Sequence, residues 1–171
     1  MEKKLHIGGT EQKEGWVILN ALPGPGVDYV GDFRDLSQFP QDYFSDIYLS
    51  HVLEHIGHYS VGQTLSGIHR ILQPAGKLYI SVPDLDILCH YFSSPYSTAD
   101  QKYLAMRIIF GNQSNNFDFH YTGFNEVFLR HFLHTSGFQT AQRVDSFGLF
   151  SDTSEYSPFG FKISLNMIAT K

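Results

Sequence analysis

Short apolar runs that break at glycine, asparagine or proline alternate with polar stretches through the first half of the chain. Leu5-His6-Ile7 leads into Gly8-Gly9, a junction at which backbone can approach a ligand closely. Trp16-Val17-Ile18-Leu19 ends at Asn20 and the breaker cluster Pro23-Gly24-Pro25-Gly26. Val27 to Val30 closes at Gly31-Asp32, and Asp46-Ile47-Tyr48-Leu49-Ser50 follows the loop through Pro40. Each of these runs is predicted to be a short buried strand.

The period then changes. Val61, Leu65, Ile68 and Leu72 recur at helical spacing behind a predicted capping box of Ser60 and Gln63, until Pro74 and Gly76 stop the run. Lys77 to Val82 alternates as a strand and ends at Pro83-Asp84. Thr98 with Gln101 starts a second helix that runs through Phe110, and the polar run Gly111 to Asn116 breaks it. Phe124, Val127, Phe128 and Phe132 mark a third helix, which Gly137 terminates. Phe138 to Phe147 and Ile163 to Thr170 read as two final strands, and Ser151 to Pro158 between them reads as mobile. Strands alternating with helices, then a helix and two late strands, predict an α/β domain with a largely parallel sheet. Such sheets bind ligands beyond the carboxyl ends of their strands. Gly9 to Gly15 is too short for a helical crossover, so the first connection is predicted to be a loop or single turn.

Composition narrows the setting. The 171 residues, 42% hydrophobic and 17% charged, suit one globular domain spanning 1–171, with 111–123 as an inserted loop or lid. A formal net charge of -5 argues against a nucleic-acid backbone or an anionic membrane as partner. No apolar run reaches membrane-spanning length. The single cysteine, Cys89, excludes an intrachain disulfide and is expected to be a buried thiol; a cytoplasmic location follows as the expectation.

Two polar clusters carry candidate chemistry. His51-Val52-Leu53-Glu54-His55 spells H-x-x-E-H, which on a helix would set His51 and His55 on one face to share a zinc, with Glu54 activating water. A strand running directly into His51 and a glycine at position 57 oppose that helix, so no metal site is expected. Asp118-Phe119-His120-Tyr121 is the second cluster. His120 is the natural base for an acceptor that must lose a proton, with Asp118 or Tyr121 orienting it. Asp84, just past its strand, either meets an acceptor or caps a turn.

LHIGG, VDYVGDFRDL, DIYLSHVLEHI, RILQPAGKLYISVPD and FLRHFLHTSGF resemble, in order, the landmarks of a class I S-adenosylmethionine-dependent methyltransferase, most closely a short member of the type 11 superfamily. The resemblance covers nearly the whole chain. It implies a Rossmann-like sheet, mostly parallel with an antiparallel final strand, helices on both faces, and S-adenosylmethionine as cofactor. Gly8 and Gly9 would floor the cofactor's amino-acid part. Asn20, beside Ala21, stands where a ribose-binding acid is usual, and Asp32 with the Phe33 amide would bind adenine. Ser50 and His51 would line the methionine side. His55 or His58 would face the acceptor, a small or sugar-like molecule that Asp118, Tyr121 and Asp84 help bind. Two departures, Gly8-Gly9-Thr10-Glu11 in place of a glycine-any-glycine continuation and the amide at Asn20, keep open a non-catalytic module of the same fold. The zinc hydrolase is the third reading.

Overall fold

The computed structural model describes residues 3–171. Seven strands form one sheet: β1 (Lys4–Ile7), β2 (Trp16–Asn20), β3 (Tyr29–Val30), β4 (Phe44–Ser50), β5 (Leu72–Pro83), β6 (Thr140–Val144) and β7 (Ser164–Thr170). Their order is β3-β2-β1-β4-β5-β7-β6. β1 to β5 run parallel, and β7 lies antiparallel between β5 and β6. The expected mostly parallel sheet with an antiparallel last strand is what forms. The chain reverses strand order at β1, so the carboxyl ends of β1, β2 and β4 open on a common crevice.

Four helices accompany the sheet: α1 (His58–Ile71), α2 (Leu85–Ser93), α3 (Ala99–Phe110) and α4 (Glu126–Thr135). Leu5, Ile7, Ile47 and Leu49 point to one face, where Val61, Leu65 and Ile68 of α1 and Leu129 and Leu133 of α4 bury them in a single apolar cluster. The register sets His6 beside Tyr48 on the other face. There the cover comes from coil, because Phe147 and Phe150 pack on Tyr48, and Asp152 accepts the Tyr48 hydroxyl at 2.8 Å. The stretch expected to be mobile, 151–158, is therefore anchored. Ser154 is buried in it, and its carbonyl accepts from Asn166 Nδ2 at 3.1 Å.

Several boundaries differ from the sequence reading for local reasons. α1 begins at His58 with Gly57 as its cap and no side-chain cap bond, so Ser60 and Gln63 lie inside the helix rather than forming a capping box. The Thr98–Gln101 box does form. β5 starts at Leu72, directly after α1, and passes Pro74 and Gly76 through a register shift opposite Phe44 and Asp46. The predicted strand from Val27 shrinks to Tyr29–Val30 at the sheet edge. α2 was not predicted. It carries Cys89, whose thiol is exposed rather than buried. No helix among the described residues is long and apolar enough to cross a membrane.

Candidate active site

A cleft of about 690 Å³ opens at the carboxyl end of the sheet, a volume within the usual range for small-molecule sites. Ile7 and Gly8 line it from β1, Leu19 to Ala21 from β2, and Gly31 to Arg34 from the turn after β3. Val52 and His55 to Gly57 line it from the segment after β4, and Asn116, Phe117 and Tyr121 close it from the α3–α4 connection. Seven of the sequence-predicted residues, Gly8, Asn20, Ala21, Asp32, Phe33, His55 and Tyr121, thus meet on one cleft. Gly9, Ser50, His51, Asp84, Asp118 and His120 are not in its lining.

The two glycines have reasons in the fold itself. Gly8 has φ +76, and a Cβ there would come within 2.4 Å of Val52 Cγ2. At Gly9 an added Cβ would lie 2.3 Å from His6 Nδ1. Only hydrogen fits either position, which leaves the backbone after β1 bare on the cleft side at Gly8.

Asn20 is tied into the same turn. Its Nδ2 donates to the Gly9 carbonyl at 3.0 Å, and its Oδ1 accepts from Leu22 N at 3.1 Å. A carboxylate could not make the first bond, since it has no hydrogen to give a carbonyl. The amide at this position therefore clamps the β1 and β2 ends together, and keeps one N–H and one lone pair uncommitted. Asp32 sits at the rim and forms a chelated pair with Arg34: Nε lies 3.0 Å from Oδ1 and 2.8 Å from Oδ2, and Nη2 also contacts Oδ2. The Arg34 hydrogen bonds hold the Asp32 carboxyl below its ordinary value. Arg34 was missed in the sequence; its only signal was its place two residues after Asp32.

Behind the cleft lies a buried acid surrounded by histidines. β4 ends at Ser50, the φ of +51 at His51 turns the chain sharply, and Leu53–His55 form a single 3-10 turn before α1. The H-x-x-E-H residues therefore do not share an α-helix, and the helical zinc arrangement of His51 with His55 is not formed. Glu54 is 1% exposed. His51 Nδ1 stands 3.4 Å from Glu54 Oε1 and His120 Nε2 stands 4.0 Å from it, yet among the described residues neither Glu54 oxygen has a hydrogen-bond partner. Burial alone would push the Glu54 carboxyl up, but His51, His55 and His120 together hold it below its ordinary value. Burial lowers the His120 imidazole, against the opposing pull of Glu54.

The second sequence cluster reaches this acid by a strap. Tyr121 N and Thr122 N both donate to the Glu54 carbonyl, at 2.8 and 3.2 Å, and Thr122 Oγ1 donates to the Ile56 carbonyl at 2.7 Å. His55 and His120 face each other edge to face with ring centroids 4.8 Å apart. Asp118 does not orient His120 as expected, because its carboxylate accepts from Ser114 Oγ at 2.7 Å and Ser114 N at 3.2 Å. Tyr121 has an exposed side chain. Glu54, rather than either neighbour in sequence, is the acid beside His120. Asp84 takes its capping role: its side chain accepts from Asp86 N and Ile87 N and pairs with Arg143 at 2.8 Å. It is buried away from the cleft. Ser50 Oγ is buried without a hydrogen-bond partner among the described residues, and His51 Nε2 contacts Ser164 Oγ at 2.8 Å.

A single sheet with strand order reversing at β1, its cleft at the carboxyl ends, and an antiparallel last strand define a Rossmann-like α/β domain. Residues 11–143 match the family described as a methyltransferase domain, and the chain belongs to that family. Among solved structures it resembles an S-adenosylmethionine-dependent methyltransferase from Archaeoglobus fulgidus, with TM-score 0.63 and 15% identity over 99% of this chain and 86% of that one. It also resembles a methyltransferase from Mesorhizobium loti, with TM-score 0.59 and 16% identity over 99% and 90% of the two chains. A third is the 1,6-didemethyltoxoflavin-N1-methyltransferase of Burkholderia thailandensis, crystallised with its substrate and S-adenosylhomocysteine, with TM-score 0.60 and 18% identity over 99% and 71%. At these identities the likeness is one of fold. Among curated proteins none matches the chain.

Proposed function

We propose that the protein binds S-adenosylmethionine in the cleft beyond β1 to β3 and transfers its methyl group to a small-molecule or sugar-like acceptor. The observation that carries this reading is the convergence of bare Gly8 backbone, Asn20, Asp32 and Phe33 on one cleft of suitable volume. These residues fit the cofactor by their chemistry. Gly8 leaves room for close approach, the Asp32 carboxylate can accept from an exocyclic amine, and Asn20 keeps one donor and one acceptor for a ribose hydroxyl. Ser50 and His51, at the end of β4, lie outside this lining, and His51 Nε2 contacts Ser164 Oγ. Bound there, the cofactor supplies an electrophilic methyl group on a sulfonium.

What the chain adds is placement. His55 on the cleft and His120 beside it, with buried Glu54 between, supply the lone pairs toward which an acceptor's proton can leave. Segment 111–123, which brings Asn116, Phe117 and Tyr121 to the mouth, holds the acceptor and excludes water. Transfer of labelled methyl from the cofactor to a panel of hydroxylated and heterocyclic acceptors tests the activity. Turnover that falls at least tenfold in His120→Ala and Asp32→Ala supports it; turnover unchanged in both refutes these assignments.

A second reading, a non-catalytic module that binds the cofactor, is favoured by one observation: no carboxylate stands at position 20, and the amide there already serves Gly9 and Leu22. Cofactor binding without turnover on any acceptor would support it.

A further inference from the structure

We infer that Glu54, His55 and His120 form a binding site for a divalent first-row transition ion, with zinc as the natural probe. One ligand atom from each lies within 4.8 Å of the other two. Two donors on a tetrahedral ion at ~2.1 Å stand roughly 3.4 Å apart, so the three would draw in by about an ångström on binding. Two imidazoles and one carboxylate are a donor set that suits such ions and leaves a coordination position open.

Hydrogen bonding around the cluster points the same way. His55 Nδ1 lies 3.0 Å from the Phe119 carbonyl, which can only accept, so that nitrogen carries the proton and the Nε2 lone pair is free. A histidine fixed through its other nitrogen by a carbonyl is the usual outer support of a metal ligand. The Ser164 hydroxyl donates to the Thr153 carbonyl at 2.9 Å, so it must accept from His51 Nε2. The other ring nitrogen of His51, Nδ1, faces Glu54 Oε1 at 3.4 Å. Glu54 itself is 1% exposed, with both oxygens lacking a donor. Imidazole nitrogens thus surround a buried carboxylate that has no hydrogen bond among the described residues, and a cation held there would compensate its charge directly. Tyr121 N and Thr122 N tie the His120 segment to the Glu54 carbonyl, which keeps the three ligands together. The inference does not depend on the cofactor reading, and His55 and His120 act as ligands with the ion bound and as proton acceptors without it.

The test uses the full chain without a histidine tag, stripped with chelator and then titrated with zinc, and separately with cobalt, whose visible spectrum reports a nitrogen–oxygen environment. One zinc per chain is expected, with a cobalt absorption band in the visible. Affinity should fall at least tenfold in both His120→Ala and Glu54→Gln, and stay unchanged in the control His134→Ala. Circular dichroism identifies any variant that has unfolded, and His55→Ala then replaces it. Sub-stoichiometric zinc in the parent protein overturns the site, as does stoichiometric zinc that survives both substitutions. S-adenosylhomocysteine binding measured on the same samples keeps the two proposals apart, because either can fail while the other stands.

Discussion

His6 sets a measurable property from inside β1. It is 5% exposed, between the rings of Tyr48 and Phe150, with Nδ1 unpartnered, and burial lowers its pKa to about 4. In the unfolded chain the group takes its proton near pH ~6.5. Between these values the unfolded state binds more protons, so stability is complete above about pH 6.5 and falls as pH drops toward 4. The loss from this residue amounts to about 3 kcal/mol. His6→Gln cannot titrate, and the pH dependence of its urea midpoint should be correspondingly shallower over that window; parallel curves would contradict the assignment. Asn20 gives a second case. Asn20→Asp sets a carboxylate against the Gly9 carbonyl, and unfolding at pH 7 should show a loss of about 1–2 kcal/mol. An unchanged or raised stability would mean that the clamp is unimportant. At this scale Gly8, Asn20 and Asp32 were legible because turn chemistry and family motif both marked them. The pairing of Asp32 with Arg34 and of His120 with Glu54 was not. Glu54 and His120 are 66 positions apart in the chain, and nothing in local spacing brings them together.

Elements were read best where one pattern ruled alone. The strands β1, β2, β4 and β7 and the α3 capping box follow from short apolar runs and from a polar pair at fixed spacing. α2 escaped because Leu85 to Phe92 is a brief apolar stretch following a proline and an aspartate, and a turn fits that as well as a helix does. Its start is fixed by Asp84, which caps two amides and pairs with Arg143 across the β6 edge. Asp84→Ala removes both and leaves a half-exposed guanidinium, so a cost of roughly 2–3 kcal/mol is expected. Asp84→Asn keeps the cap and should cost less, on the order of 1 kcal/mol. Equal losses in the two variants by chemical denaturation would show that the charge pair, not the cap, governs the start of α2. Ser60 and Gln63 mark the opposite error: a sequence that fits a capping box lies within a helix already begun at His58.

For the whole molecule, the alternation of strand and helix was enough to give an α/β sheet, and the shortness of 9–15 was enough to rule out a first crossover helix. The membership of the methyltransferase family and the sheet order agree with that reading. What alternation could not give was the cover over His6 and Tyr48, because Phe147, Phe150 and Asp152 lie in a stretch without period and are held by pairings across about a hundred residues. Nor could it give the closing of the cleft by Asn116 and Phe117. The central claim is that this cleft is a cofactor site, and isothermal titration of the parent protein with S-adenosylhomocysteine tests it most directly. One-to-one binding is expected, weakened at least tenfold in Asp32→Ala, whose carboxylate is exposed at the rim and whose loss leaves the core untouched. No heat of binding at millimolar ligand, with the protein folded, would contradict the account.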